Sequence, residues 1–255
     1  MIQTAERASS RDQVDNYVYQ RCLFAYHEVK ARISGNVLEI GTGSGLGIEI
    51  LSKHCDKLLT IDKYSCELDF STYNNVEFKQ MEIPPLTGIA DNTYDFVISF
   101  QVIEHIEDDH SYCKEIHRVL KPGGKFIATT PNKIQSLTRN PWHVREYTGD
   151  ELQALLRKEG FISVEKLGTF GSKKVNQYID KNKESVKKIT RWDIFNLQYR
   201  LPRRLLQIPY DLMNRINRKN IAVENSELTS SITVDDFYVS NQNNDSLDLF
   251  FIATK

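Results

Sequence analysis

Glu39, Gly41, Thr42, Gly43 and Gly45 make the run E-x-G-T-G-x-G at the end of a short apolar stretch, 37–40. Glycines at alternate positions let the backbone turn tightly and come close to a bound group. A helix-compatible segment, 46–53, follows them, and a helix start offers free N–H donors. The chemistry implied is the holding of a small polar cofactor. Asp62 stands at the end of the next apolar run, 57–61, about twenty residues past the first glycine. A carboxylate there can accept hydrogen bonds from both hydroxyls of a ribose. Farther on, Glu104-His105 closes a third apolar stretch, and His105 is a candidate general base. His143 is a second, in a segment dense with polar and aromatic groups, 140–148. Trp142, Arg145 and Glu146 in that segment are substrate-pocket candidates, because loops on a rigid sheet commonly carry binding groups. A loop locked by an Arg–Glu pair and a packed Trp is the alternative, and the two stay open.

The elements that must position these groups follow from periodicity and turn chemistry. Val14, Val18, Cys22, Tyr26, Val29 and Ile33 recur at helical spacing, which predicts a helix to about Ser34, stopped by Gly35. That helix covers the cofactor mouth, with Tyr17 and Arg21 as contacts or as solvated groups. Strands are expected at 37–40, 57–61, 76–80, 94–100, 125–130 and 161–167. A helix over 108–120 carries His110 and His117 as surface or packing residues. Thr148 with Glu151 forms a capping box for the helix that follows. The strand run alternating with helices describes a parallel α/β sheet, whose ligands bind beyond the carboxyl ends of the strands.

Composition narrows the classes. With 255 residues, 40% hydrophobic and 26% charged, the chain is an ordinary globular protein, and a net charge of −1 supplies no global basic field for nucleic acid. Cys22, Cys55, Cys66 and Cys113 are scattered, without metal-ligand spacing, which suits reduced structural thiols in a cytoplasmic compartment. Glu104 and His105 are two neighbours and do not make a metal site, so no metal is expected. Residues 1–21 lack the apolar core of a signal peptide, and no run reaches membrane-spanning length.

The glycine run fails the dinucleotide pattern G-x-G-x-x-G, since Leu46 takes its third position. Taken with Tyr94-Asp95-Phe96-Val97, Glu104-His105, Arg118-Val119-Leu120-Lys121-Pro122-Gly123-Gly124 and Thr130-Pro131-Asn132, it resembles the class I S-adenosylmethionine (SAM) methyltransferases of the ubiquinone-biosynthesis and bacterial polysaccharide-cluster type. Tyr94 replaces the Phe of that family's strand motif, and the likeness covers about half the chain. The resemblance implies a Rossmann-like doubly wound sheet of seven strands in the order 3-2-1-4-5-7-6, the last antiparallel. It implies SAM as cofactor, leaving as S-adenosylhomocysteine. Glu39, Gly41, Thr42, Gly43 and Gly45 would hold its methionine end, Asp62 and Lys63 the ribose, and Met81, Glu82 and Gln101 the remainder of the pocket.

The expected organisation is a covering helix at 1–35, the cofactor-binding core at 36–170, a basic helical insertion at 171–231 and closing strands at 232–255, read as a final hairpin. Lysines and arginines dominate 181–219, interleaved with Trp192, Ile194, Phe195, Leu197, Tyr199, Leu201, Leu205, Leu206 and Ile208, and Pro202 and Pro209 are expected to break the insertion into short helices. It reads as a lid, as a peripheral contact with anionic lipid, or as an oligomer contact. The function expected is methyl transfer to a small-molecule, sugar or lipid-linked hydroxyl. A SAM-binding regulator without catalysis is the alternative, with a nicotinamide oxidoreductase behind it.

Overall fold

The computed structural model describes residues 13–191, 193 and 196–255. The N-terminal part of the covering segment, 1–12, and Trp192, Ile194 and Phe195 of the insertion lie outside the described residues. Two compact units are present.

The larger unit comprises Ala25–Gln135, Arg145–Phe170 and Val239–Lys255 and holds most of one sheet. Five parallel strands come first: β1 (Asn36–Ile40), β2 (Lys57–Asp62), β3 (Val76–Gln80), β4 (Tyr94–Phe100) and β5 (Leu120–Pro131). Then follow β6 (Ser163–Gly171), β7 (Phe237–Asn241) and β8 (Asp248–Thr254). The order is β3-β2-β1-β4-β5-β8-β6-β7, and β8 runs antiparallel to both β5 and β6. β8 occupies the place expected for the seventh strand, so the doubly wound order 3-2-1-4-5-7-6 is present with one further strand at the edge.

The expected hairpin of the last two strands does not form, because β6 lies between β7 and β8. Burial explains the choice. The segment 248–253 of β8 is buried throughout, which suits a strand flanked on both sides, whereas three of the five residues of β7 are exposed and suit an edge.

Alternate residues of the strands face two helical layers. The helix α1 (Asn16–Val29) contributes Tyr26 and Val29, and α2 (Ile48–Ser52) contributes Ile48 and Leu51, against Val37, Leu58, Ile98, Ile127 and Phe250. On the opposite face, α3 (Asp109–Val119) and α4 (Gly149–Lys158) bring Cys113, Ile116, Leu152 and Leu156 against Leu38, Val97, Phe126 and Phe251. Burial on both faces is what turns the strands into near-continuous apolar runs. The helix predicted to reach Ser34 ends earlier, at Val29. Past it Arg32 N–H bonds Val29 O at 2.8 Å, a three-residue spacing that tightens the chain toward Gly35. Thr148 and Glu151 form the expected capping box of α4.

The smaller unit contains residues 13–24 and 136–144 together with Gly171–Tyr238. Its helices are α5 (Lys173–Thr190), α6 (Leu197–Arg200), α7 (Arg203–Glu224) and α8 (Ser226–Ser231). The ring of Tyr17 stacks on Tyr178 of α5 with centroids 4.4 Å apart, and Asp15 pairs with Arg218 of α7 at 3.0 Å. The Asn16 amide donates to the carbonyls of Thr229 and Ile232. Tyr17 therefore does packing work. Pro202 caps α7 as a breaker should, but Pro209 lies within this helix of 22 residues. One interior proline costs about 3 kcal/mol. The rest of the ladder, anchored by buried Asn217 and Ile221, outlasts that loss.

Candidate active site

Because β3, β2, β1 and β4 are consecutive neighbours in a parallel sheet, their carboxyl ends bring four segments side by side: Met81-Glu82, Asp62-Lys63, the loop from Gly41 to Gly45, and Gln101 to His105. Glu39 lies at the root of this edge and is buried. Its Oε1 accepts from the Tyr26 hydroxyl at 2.9 Å, and its Oε2 accepts from the Thr60 hydroxyl at 2.5 Å. Thr42 shares a hydroxyl contact with Thr60 at 2.5 Å. Burial pushes the Glu39 carboxyl up to about 7, against the two hydroxyl bonds that favour its charged form, and the neighbouring Asp62 charge adds to the rise.

Four of the loop amides are used inside the protein. Gly41 and Thr42 N–H donate to Ile61 O, Gly45 N–H to Thr42 O, and Gly43 N–H to Asp62 Oδ2 at 2.8 Å. The helix α2 that follows is five residues long and begins only at Ile48. What the loop offers is bare surface. Gly41 has φ +97° and a Cβ there would sit 2.5 Å from Val102 Cγ2, so no side chain fits. Gly43 has φ +57° and a Cβ there would meet nothing within 4 Å. A ligand can therefore lie directly on the Gly43 backbone.

Asp62 takes Gly43 N–H on Oδ2 and Tyr64 N–H on Oδ1 at 2.9 Å. Each oxygen keeps a further lone pair, so the carboxylate is fixed in place and still able to accept a pair of hydroxyls. Lys63 is exposed, with its ammonium 5.0 Å from the Tyr64 ring centre. Met81 is half-buried against the core and Glu82 is exposed. Gln101 adopts φ +57°, a left-handed conformation uncommon outside glycine. Its side-chain amide donates to Thr129 Oγ1 at 3.3 Å and Asp248 Oδ1 at 3.2 Å, and its main-chain N–H donates to Thr129 O at 2.8 Å. His105 ends a single 3₁₀ turn, Ile103–His105, and is half-buried. Glu104 before it is buried and accepts from Thr130 Oγ1 at 2.9 Å.

Arg145 and Glu146 line a pocket of about 550 Å³ with Asp109, Lys133, Tyr147 and Glu151. Buried Asp109 accepts from the Arg145 guanidinium and from the Tyr147 hydroxyl at 2.7 Å, and Lys133 pairs with Glu151 at 2.9 Å. This pocket is polar and ion-paired. His110 at its rim pairs with Glu159 at 2.6 Å, and His117 packs edge-on against Phe161.

Trp142 and His143 belong to the smaller unit. The Trp142 indole N–H donates to Asp211 Oδ1 at 3.0 Å. The Asn140 amide nitrogen lies 2.8 Å from His143 Nε2.

Sequence reasoning missed several contributors. Tyr26 was visible only as one member of a helical stripe, and Thr60, Val102 and Asp109 carried no mark of a site. Nothing local marks a tyrosine that reaches a carboxylate 13 positions away. An acid at a helix start is a common and undistinguished feature.

A methyltransferase-domain family model matches residues 38–128, the stretch from β1 into β5. A protein of Mycolicibacterium smegmatis named a probable S-adenosylmethionine-dependent methyltransferase is 32% identical over 175 residues, which is 66% of this chain and 68% of its own length. A ubiquinone biosynthesis O-methyltransferase of Acinetobacter baylyi is 27% identical over 104 residues, 38% of this chain and 44% of its own. Among solved structures, a SAM-dependent methyltransferase of Thermotoga maritima matches with a TM-score of 0.55 and 16% identity, covering 94% of this chain and 92% of that one. At that identity the likeness is one of fold.

Proposed function

From the premise that the chain belongs to the SAM-dependent methyltransferases, with SAM as its cofactor, we propose that it methylates a hydroxyl oxygen of a small-molecule, sugar or lipid-linked acceptor. Bound SAM supplies an electrophilic methyl on a sulfonium that is already a good leaving group. The protein's task is then alignment and exclusion of water rather than covalent catalysis.

The residues divide that task. The Gly43 surface and the carboxylate of Asp62 hold the cofactor, and the Glu39–Thr60–Thr42 hydroxyl network fixes the loop from beneath. Met81 gives an apolar wall at the end of β3. His105 takes the proton of the acceptor hydroxyl, since an alcohol must lose it to become an effective nucleophile. Arg145, Glu146 and the polar pocket around Asp109 receive a hydroxylated acceptor.

The observation that carries the oxygen-acceptor reading is the placement of His105, half-buried at the carboxyl end of β4, the strand beside the glycine loop. The O-methyltransferase named among the relatives adds support. His105→Ala is expected to leave SAM affinity unchanged by calorimetry while lowering kcat about 100-fold. Full turnover in that variant would remove His105 as the base. The acceptor class is tested by supplying radiolabelled SAM with fractionated lipid and glycan extracts. Label confined to protein or nucleic acid would sink it.

A further inference from the structure

The exposed face of α7 is left over from the methyl-transfer machinery. Leu205, Ile208, Leu212, Ile216 and Val223 are between 43% and 81% exposed. At about 100° per residue they fall within roughly 80° of the helix circumference, a single apolar stripe. On the opposite side of the helix, Asn217 and Ile221 are buried. Tyr199 and Leu197 on α6 add two more exposed apolar groups just ahead of it.

Cations gather along one edge of the stripe. Arg204 and Arg215 lie within about 40° of that edge, Asp211 lies beyond them, Lys219 lies within the stripe, and all three cations are exposed. The two acids of α7 fall outside this arc: Asp211 accepts from the Trp142 indole, and Glu224 is at the far end. An isolated apolar stripe would suit many partners. A stripe edged by cations with an aromatic residue nearby suits the interface of an anionic bilayer, where the apolar face enters the headgroup boundary and the cations meet lipid phosphates. Among the described residues no helix is long and apolar enough to cross a membrane, so contact through these helices is in the plane of the surface.

We propose that α7 is a docking surface for an anionic lipid bilayer, carrying the enzyme on the membrane face through Leu205, Ile208, Leu212 and Ile216 with Arg204, Arg215 and Lys219. The proposal stands apart from the identity of the acceptor, because it concerns a surface and not the reaction.

Flotation of the full chain with phosphatidylcholine vesicles, with and without phosphatidylglycerol, tests it. The expected result is binding at least tenfold tighter when phosphatidylglycerol is present, weakened by raised salt. The triple variant Leu205→Ser, Ile208→Ser, Leu212→Ser should lose at least tenfold in binding. Arg204→Glu with Arg215→Glu should do the same without touching an apolar residue. Circular dichroism and SAM affinity should be unchanged in both variants, because the substituted side chains are exposed. Absence of vesicle binding, or equal binding to both compositions, overturns the proposal. So does a dimer, seen by light scattering, that the triple variant converts to monomer while vesicle binding persists. In that case a second copy covers the stripe.

Discussion

The two ends of the proposed active site are built differently, although both stand in the larger unit. At the cofactor end, Glu39, Thr42 and Thr60 are buried and bonded to one another, and Asp62 is clamped by the amides of Gly43 and Tyr64. At the acceptor end, Arg145 and Lys133 are roughly half exposed and meet Asp109, which is buried, and Glu151, which is half exposed, in a pocket open to solvent. Interactions of the first kind are unscreened and hold one geometry, whereas an exposed pair such as Lys133–Glu151 is weak and exchanges partners readily. In the proposed reading, the cofactor end is the more tightly built of the two.

The contrast can be broken most forcefully at Asp62. Replacing it by Ala removes two charge-assisted hydrogen bonds to the ribose, each worth about 1.5–3 kcal/mol. SAM affinity should fall by roughly 100-fold or more, measured by titration calorimetry. A loss under tenfold would mean that the carboxylate serves only to clamp the loop.

Next in size is the pH response of Glu39. Its carboxyl is held at about 7 in the fold against an ordinary value of 4.5, so the native state binds the proton more tightly than the unfolded chain does. The stability this contributes is full below about pH 4.5 and is lost as pH rises through about 7, a change of about 3 kcal/mol. Denaturant unfolding without added SAM should show that decline, and Glu39→Gln should flatten it. An unchanged slope in Glu39→Gln would assign the pH response to other groups.

The smallest effect is expected at the acceptor end. Asp109→Ala leaves the Tyr147 hydroxyl without its buried acceptor and should cost about 1–3 kcal/mol of unfolding free energy. SAM affinity should be unaffected, and acceptor turnover should fall. If SAM affinity drops as well, the two ends are coupled and the division drawn between them is too sharp.

Much of this could be read from local pattern. The strand–glycine–helix unit at Glu39 to Gly45, the acid at Asp62, the strand from Tyr94 to Phe100 and the Thr148–Glu151 cap each depend on residues within a few positions of one another, and such patterns survive in a bare sequence. The order of the last strands did not. Whether β7 pairs β8 or lies outside β6 depends on which strand can tolerate burial on both faces, and that is decided only when the neighbours are in place. The helix through Pro209 is a second instance, in which the remaining ladder and its buried residues outweigh a local breaker.

The sequence by itself carried the cofactor class through the resemblance of its motifs to a known family, and the glycine loop and the acid at successive strand ends survive in it because they are short-range demands of backbone geometry and hydrogen bonding. Only the tertiary structure decided that Tyr26 braces Glu39, that the amides of Gly41, Thr42, Gly43 and Gly45 bond within the protein while the space over the Gly43 backbone stays open, and that the apolar stripe of α7 faces solvent. Each of these depends on burial and on contacts between residues far apart in the chain. Neither burial nor distant contact has a signature in the order of neighbouring residues, so both wait on the fold.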